Sequence, residues 1–102
     1  MGENRYRIEA VYRAGKILEV VANSREPMSA AEIATALDID KNMAFRQCST
    51  LVELGLFQEV GEKFDLGMKM ALYWAKKKSR LEAVRDRAIT ALNTLEDVEV
   101  AS

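Results

Sequence analysis

A mainly α chain, in which two short helices meet at a tight corner before a small β-hairpin and a long closing helix, is predicted by three features. Ser29 to Phe57, SAAEIATALDIDKNMAFRQCSTLVELGLF, reads as two capped helices. Leu56 to Leu66 alternates about Gly61 as a hairpin does, and no proline or glycine interrupts the run from Met68 to about Leu95.

The first element is a helix from about Ile8 to Asn23. Val11, Ala14, Leu18 and Val21 lie one above another at helical spacing, with Ile17 widening the face. Gly15 costs such a helix about 1 kcal/mol relative to alanine, which marks it as a point of close helix packing. Residues 1–7 are polar and expected to be loose, with Arg5 and Arg7 within reach of a backbone phosphate. Asn23 to Pro27 is a loop, and Pro27 holds its neighbour extended.

Ser29 and Glu32 then form a capping box, each side chain serving the other's backbone N–H. The helix over 30–37 carries Ile33, Ala34 and Leu37 on one face. Asp38-Ile39-Asp40 breaks the period; Asp40 caps the next helix through the N–H of Asn42 or Met43, and Ile39 plugs the corner. That second helix, 41–54, places Ala44, Cys48, Leu51, Val52 and Leu54 inward and ends at Gly55, where a left-handed residue is needed. Leu56 to Val60 and Lys63 to Leu66 are the strands of the hairpin, which must pack back on the helices because two strands alone are marginal. Three helices and this hairpin make a winged helix-turn-helix over 8–67.

Residues 68–98 form a separate, long helix. Trp74, Leu81, Ala88 and Leu95 recur every seven residues, with Met70, Lys77, Val84, Ala91 and Val98 in the companion seam. Trp74, Leu81, Val84, Ala88 and Leu95 are therefore the expected homodimer contacts, with the first helix assisting; the alternative is that the helix packs on its own domain. Its basic run, Lys69, Lys76, Lys77, Lys78 and Arg80, either approaches phosphate or is a solvated face.

Composition excludes several functions. With 102 residues the chain is one ordinary domain, and 49% hydrophobic residues suffice for a core. One cysteine and no histidine rule out Cys/His zinc sites, an intrachain disulfide and a histidine general base. Cys48 faces inward and reads as a buried small residue. Asp38 and Asp40 are accounted for by the turn and the cap, and no phosphate loop or nucleophile constellation is present, so no enzyme and no cofactor are expected. MGENRYRIEA lacks the apolar core of a secretion signal and no run reaches membrane-spanning length, so the expectation is a cytoplasmic protein without a membrane partner. A formal charge of −1 argues against a general nucleic-acid coat. It does not exclude a specific binder with its cations on one face.

The second helix of the corner has the residues for such a face. Its first turn offers backbone N–H groups and Lys41 to phosphate, and Asn42, Met43, Phe45, Arg46 and Gln47 supply mixed polar and apolar surface. Asparagine and glutamine pair with adenine, arginine with guanine, and methionine or phenylalanine meets a thymine methyl. Lys63 is the hairpin's own cation. The same surface also suits a protein partner, as in an adaptor within a transcription or recombination assembly.

Residues 11–67 resemble the N-terminal winged helix-turn-helix domain of the IclR family of transcription regulators. The resemblance rests on the capped Ser-x-x-Glu-Ile-Ala helix from Ser29, the Lys-led helix from Lys41, Leu-x-x-Leu-Gly-Leu from Leu51, and FDLG at 64–67. Where the family usually has Pro-Lys-Ser-Thr-x-x-Arg, this chain has Asp40-Lys41-Asn42-Met43-Ala44-Phe45-Arg46; Lys41 and Arg46 match, Asn42 is a polar substitute, and Met43 departs from threonine. The resemblance implies sequence-specific binding of double-stranded DNA by a small transcriptional regulator. It also implies a linker helix and then an effector domain, and the sequence stops near the end of that helix.

Overall fold

The computed structural model describes residues 5–101. Seven elements follow in order: α1 (Glu9–Ala22), β1 (Met28–Ser29), α2 (Ala30–Leu37), α3 (Lys41–Glu53), β2 (Phe57–Val60), β3 (Lys63–Leu66) and α4 (Met68–Ala101). The expected helices, corner and hairpin are present, and α4 runs three residues past the expected 68–98. Residues 1–4 of the expected loose start lie outside the described residues.

Two compact units divide the chain, one up to Met70 and one from Ala71. In the first, α1, α2 and α3 enclose a core with the sheet. Ile17 and Val21 of α1, Ile33 of α2, Ala44, Cys48 and Leu51 of α3, and Phe57 and Phe64 of the strands are buried together. Burying a side chain the size of Ile17 or Ile33 stabilises the fold by about 1.5–3 kcal/mol. Leu37, Ile39 and Val52 pack at the edge of this core. Burial of Cys48 pushes its thiol up to about 11, which suits an inert packing residue.

The caps explain the helix boundaries. The Ser29 hydroxyl accepts from Glu32 N–H at 3.1 Å and the Glu32 carboxylate accepts from Ser29 N–H at 3.0 Å, completing the box that starts α2. Asp40 accepts from Met43 N–H at 3.1 Å and starts α3. Both helices end through a left-handed residue. At the end of α3, Gly55 has φ +81, Leu56 N–H donates to Leu51 O and Gly55 N–H to Val52 O. The end of α2 repeats this with Asp38 at φ +53, Ile39 N–H donating to Ala34 O. Aspartate accepts this conformation more readily than most residues, so the corner closes without a glycine.

The sheet has three strands rather than two, in the order β1-β3-β2 and antiparallel throughout. Phe57 pairs with Leu66 and Val60 with Lys63, while the additional β1 sets Met28 beside Phe64 and Ser29 beside Lys63. The hairpin thus gains the third strand that a lone pair lacks, and Ser29 is both a strand residue and the cap of α2.

Three expectations about packing are corrected. Only the later turns of α1 meet the core, so Ile17 is its centre, and Val11 is 67% exposed. Gly15 marks no close approach: a Cβ placed there meets nothing within 4 Å. Leu54, expected inward, is exposed because α3 ends just before it and the chain turns at Gly55. The glycine that does sit in a tight place is Gly67, whose added Cβ would lie 2.5 Å from Gly55 O and 2.9 Å from Phe57 O.

Considered by itself, the unit from Ala71 is one helix without proline or glycine. Its side chains are exposed through Glu99, including Trp74, Leu81, Val84 and Leu95. Among the described residues no helix is long and apolar enough to cross a membrane.

Candidate nucleic-acid interface

The helix-turn-helix formed by α2 and α3 holds the predicted residues in one place. Lys41 is the first residue of α3, and Lys41, Asn42, Phe45 and Arg46 are exposed. Met43 and Gln47 are half-buried, since residues four apart share a helix face and these two border the buried Ala44 and Cys48. Lys41, Asn42, Phe45 and Arg46 therefore form the outward surface, with Met43 and Gln47 on its flank. Neither Lys41 nor Arg46 has an ion-pair partner among the described residues. The Arg46 carbonyl accepts from the Thr50 hydroxyl at 2.9 Å, leaving the guanidinium outside that bond.

Between the start of α3 and the β2–β3 turn lies an open groove of about 550 Å³, lined among others by Ser29, Lys41, Phe45, Glu59, Glu62 and Lys63. Phe45 forms one wall: although 54% exposed, its ring meets the buried Phe64 edge-on, with centroids 6.3 Å apart and an interplanar angle of 66°. This contact fixes an otherwise solvent-facing aromatic beside the first turn of α3.

Lys63 is brought to the same groove, but its Nζ lies 3.6 Å from Glu32 Oε1. Hydrogen bonding from Ser29 N–H, and then from the Ser29 hydroxyl, holds the Glu32 carboxyl below the usual carboxylate range, and the Lys63 charge lowers it further. Glu59 and Glu62 also line the groove, so the hairpin presents mixed charge, whereas Lys41 on the α3 side has no ion-pair partner among the described residues. Among the N-terminal cations, Arg7 is engaged by Glu9 at 3.0 Å and lies 4.1 Å from the Tyr12 ring centroid. Arg5 lies over Tyr6.

Sequence reading finds α3 from its cap and its polar first turns, but misses the roles of Glu32, Glu59 and Glu62. The capping box marks Glu32 as local; nothing in the linear pattern announces its pairing with Lys63, 31 positions later. Among the described residues there is no cluster of acids or cysteine suited to a metal.

A comparison with curated proteins finds no match. Solved structures do match. The repressor BlcR of Agobacterium tumefaciens is 30% identical over 69% of this chain and 28% of its own, with a TM-score of 0.58. A transcriptional regulator from Alicyclobacillus acidocaldarius is 20% identical over 71% of this chain and 30% of its own, with a TM-score of 0.67. An IclR family transcriptional regulator from Brucella abortus is 22% identical over 79% of this chain and 32% of its own, with a TM-score of 0.66. The latter two share the fold, and this chain spans about a third of the length of each of the three. The profile of the IclR helix-turn-helix domain matches residues 10–61, which run from α1 through both helices of the corner to the hairpin turn. With just over half of its residues matched to that profile, the chain belongs to the IclR helix-turn-helix family.

Proposed function

We propose that the chain binds double-stranded DNA sequence-specifically as a small transcriptional regulator, with α3 in a major groove and the Glu59–Phe64 turn near the flanking minor groove or backbone. The observation that carries this reading is the exposed first turns of α3, with Lys41 and Arg46 free of ion pairs among the described residues, on a helix-turn-helix of this family. The likeness to a repressor agrees with it. Lys41 and the N–H groups of the α3 first turn serve phosphate, and Asn42, Arg46 and Gln47 serve base edges. Met43 and Phe45 offer apolar contact to thymine methyls, and Lys63, shared with Glu32, contributes less than the helix. Residues 8–67 act as the binding domain and 68–98 as the dimerisation helix. Trp74, Leu81, Val84, Ala88 and Leu95 bury their exposed seam in a homodimer, which sets two copies of α3 on one site. A cytoplasmic location suits this role.

DNA selection followed by titration at several salt concentrations tests the reading. Arg46→Ala should reduce preference for the selected site by roughly 1–3 kcal/mol if it reads guanine in a bidentate pair. Lys41→Ala should weaken selected and unrelated sites alike and reduce the salt slope. A second reading, a protein-binding adaptor, is favoured by the exposed Phe45 beside Glu59 and Glu62 in the groove. Unchanged DNA binding by the Lys41/Arg46 double variant would move the interface elsewhere and place this second reading first.

A further inference from the structure

The seam of α4 distinguishes between the two ways in which a pair of such helices can meet. Trp74, Leu81, Ala88 and Leu95 alternate with Lys77, Val84, Ala91 and Val98 at spacings of three and four, the pattern of a two-helix contact. All are exposed in the single chain, Trp74 at 64% and Leu95 at 65%.

In a parallel, in-register pair every seam residue faces its own copy. Lys77 would meet Lys77 of the second copy inside the seam, and Arg80 and Arg85, which border it, would be set against each other on both sides. Ala88 and Ala91 would stack small upon small and leave the middle thin. An antiparallel pair with its two-fold axis beside Asp86 gives different layers. Leu81 then faces Ala91, Val84 faces Ala88, Trp74 faces Val98, and Lys77 lays its stem over Leu95. Large residues oppose small ones through the centre, which is how facing positions fill space.

Charge favours the same arrangement. The two Lys77 ammonium groups are removed from each other by about 27 Å along the axis at 1.5 Å per residue. The basic run Lys76, Lys77, Lys78 and Arg80 comes alongside the end that holds Glu96 and Asp97, and the helix dipoles oppose. Arg85 and Arg87 approach their own copies near the axis, where Arg85 is already held by Asp86 at 3.2 Å. We infer that α4 pairs antiparallel with α4 of a second copy about an axis beside Asp86. This rests on the homodimer reading above and adds its geometry.

Engineered cysteines in the full chain test it, with the fully buried Cys48 left in place. The double variant Leu81→Cys/Ala91→Cys should form an interchain disulfide on mild oxidation. Leu81→Cys alone should not, because its two thiols would be about 15 Å apart along the axis, beyond disulfide reach. Spin labels at Asp97→Cys, which leaves the seam intact, should lie about 33 Å apart along the axis in the antiparallel pair. Cross-linking of Leu81→Cys alone, failure of the double variant to cross-link in a dimer, or a label separation under about 15 Å, as expected for parallel axes 8–10 Å apart, would overturn the orientation. Sedimentation of the labelled protein reads assembly separately: a monomer across micromolar concentrations would overturn both the orientation and the homodimer reading. DNA titration reports on the α3 assignment independently.

Discussion

Two glycine substitutions of identical chemistry should have opposite effects, with signs set by the space around each position. Gly15 lies in the middle of α1, has helical neighbours on both sides, and presents open space to an added methyl. Gly15→Ala should therefore recover the helix propensity lost to glycine, about 0.8–1 kcal/mol. For a domain of 60–100 residues that is roughly 4–8 °C in Tm. Gly67 joins β3 to α4, and its Cβ would approach Gly55 O, Phe57 O and Leu56 C at 2.5, 2.9 and 3.0 Å. All three are backbone atoms and cannot turn aside as a side chain can. The Gly67 N–H also donates to Leu56 O at 2.7 Å, so relief would cost a hydrogen bond. Gly67→Ala should destabilise by about 1–3 kcal/mol, the range for an overpacked site. Urea and thermal unfolding followed by helical circular dichroism, at one fixed protein concentration because association shifts Tm, would measure both. Loss of stability in Gly15→Ala would refute the open-space argument and indicate that α1 is covered at Gly15 in the assembled protein. A neutral Gly67→Ala would refute the clash.

Three further outcomes follow from the caps and the core. Asp40→Ala should cost about 1 kcal/mol by leaving Met43 N–H without its acceptor, and should shorten α3 at its first turn, as amide exchange would report. Because the folded Glu32 pKa is depressed, its contribution is present above the unfolded carboxyl value and is lost as pH falls through the folded one. Wild type should accordingly lose more stability across that acid window than Glu32→Gln in parallel urea titrations. Cys48, with its thiol raised to about 11 by burial, should resist alkylation in the native state and react at a rate tracking unfolding; rapid native labelling at pH 8 would contradict its buried position.

What could be read from the sequence was what short-range chemistry determines. Ser29 with Glu32, Asp40 before Lys41, and Gly55 after Leu54 are interactions within about one helical turn, and each appears at its expected place. The hairpin was legible for the same reason, since Gly61 supplies its positive φ between two alternating runs. β1 was not: two residues are too short to show a period, and they are held by the register with Phe64 and Lys63. Nor was the coverage of α1, because its helical pattern continues through Val11 while the packing surface does not. On the candidate surface Lys41, Asn42, Phe45 and Arg46 of α3 are exposed as the cap and helical spacing suggest, while Met43 and Gln47 are half-buried. The Phe45–Phe64 and Glu32–Lys63 contacts join residues 19 and 31 positions apart, and only the assembled sheet brings them together.

The double duty of Ser29 has a consequence for how this chain tolerates changes in length. Its backbone pairs with Lys63 in the sheet while its hydroxyl accepts the Glu32 N–H, and no spacer separates the two tasks. Because the capping box ties Ser29 to Glu32 whatever precedes it, a residue inserted or deleted between Pro27 and Ser29 would shift Met28 by one place and turn it to the opposite face of the sheet, away from its register with Phe64. The Gly61-Glu62 tip carries no such double task and is exposed. Grafted peptides and lineage-specific insertions should therefore be accommodated at the hairpin tip and rejected at the Met28–Ser29 junction, although both belong to connections of the same small sheet.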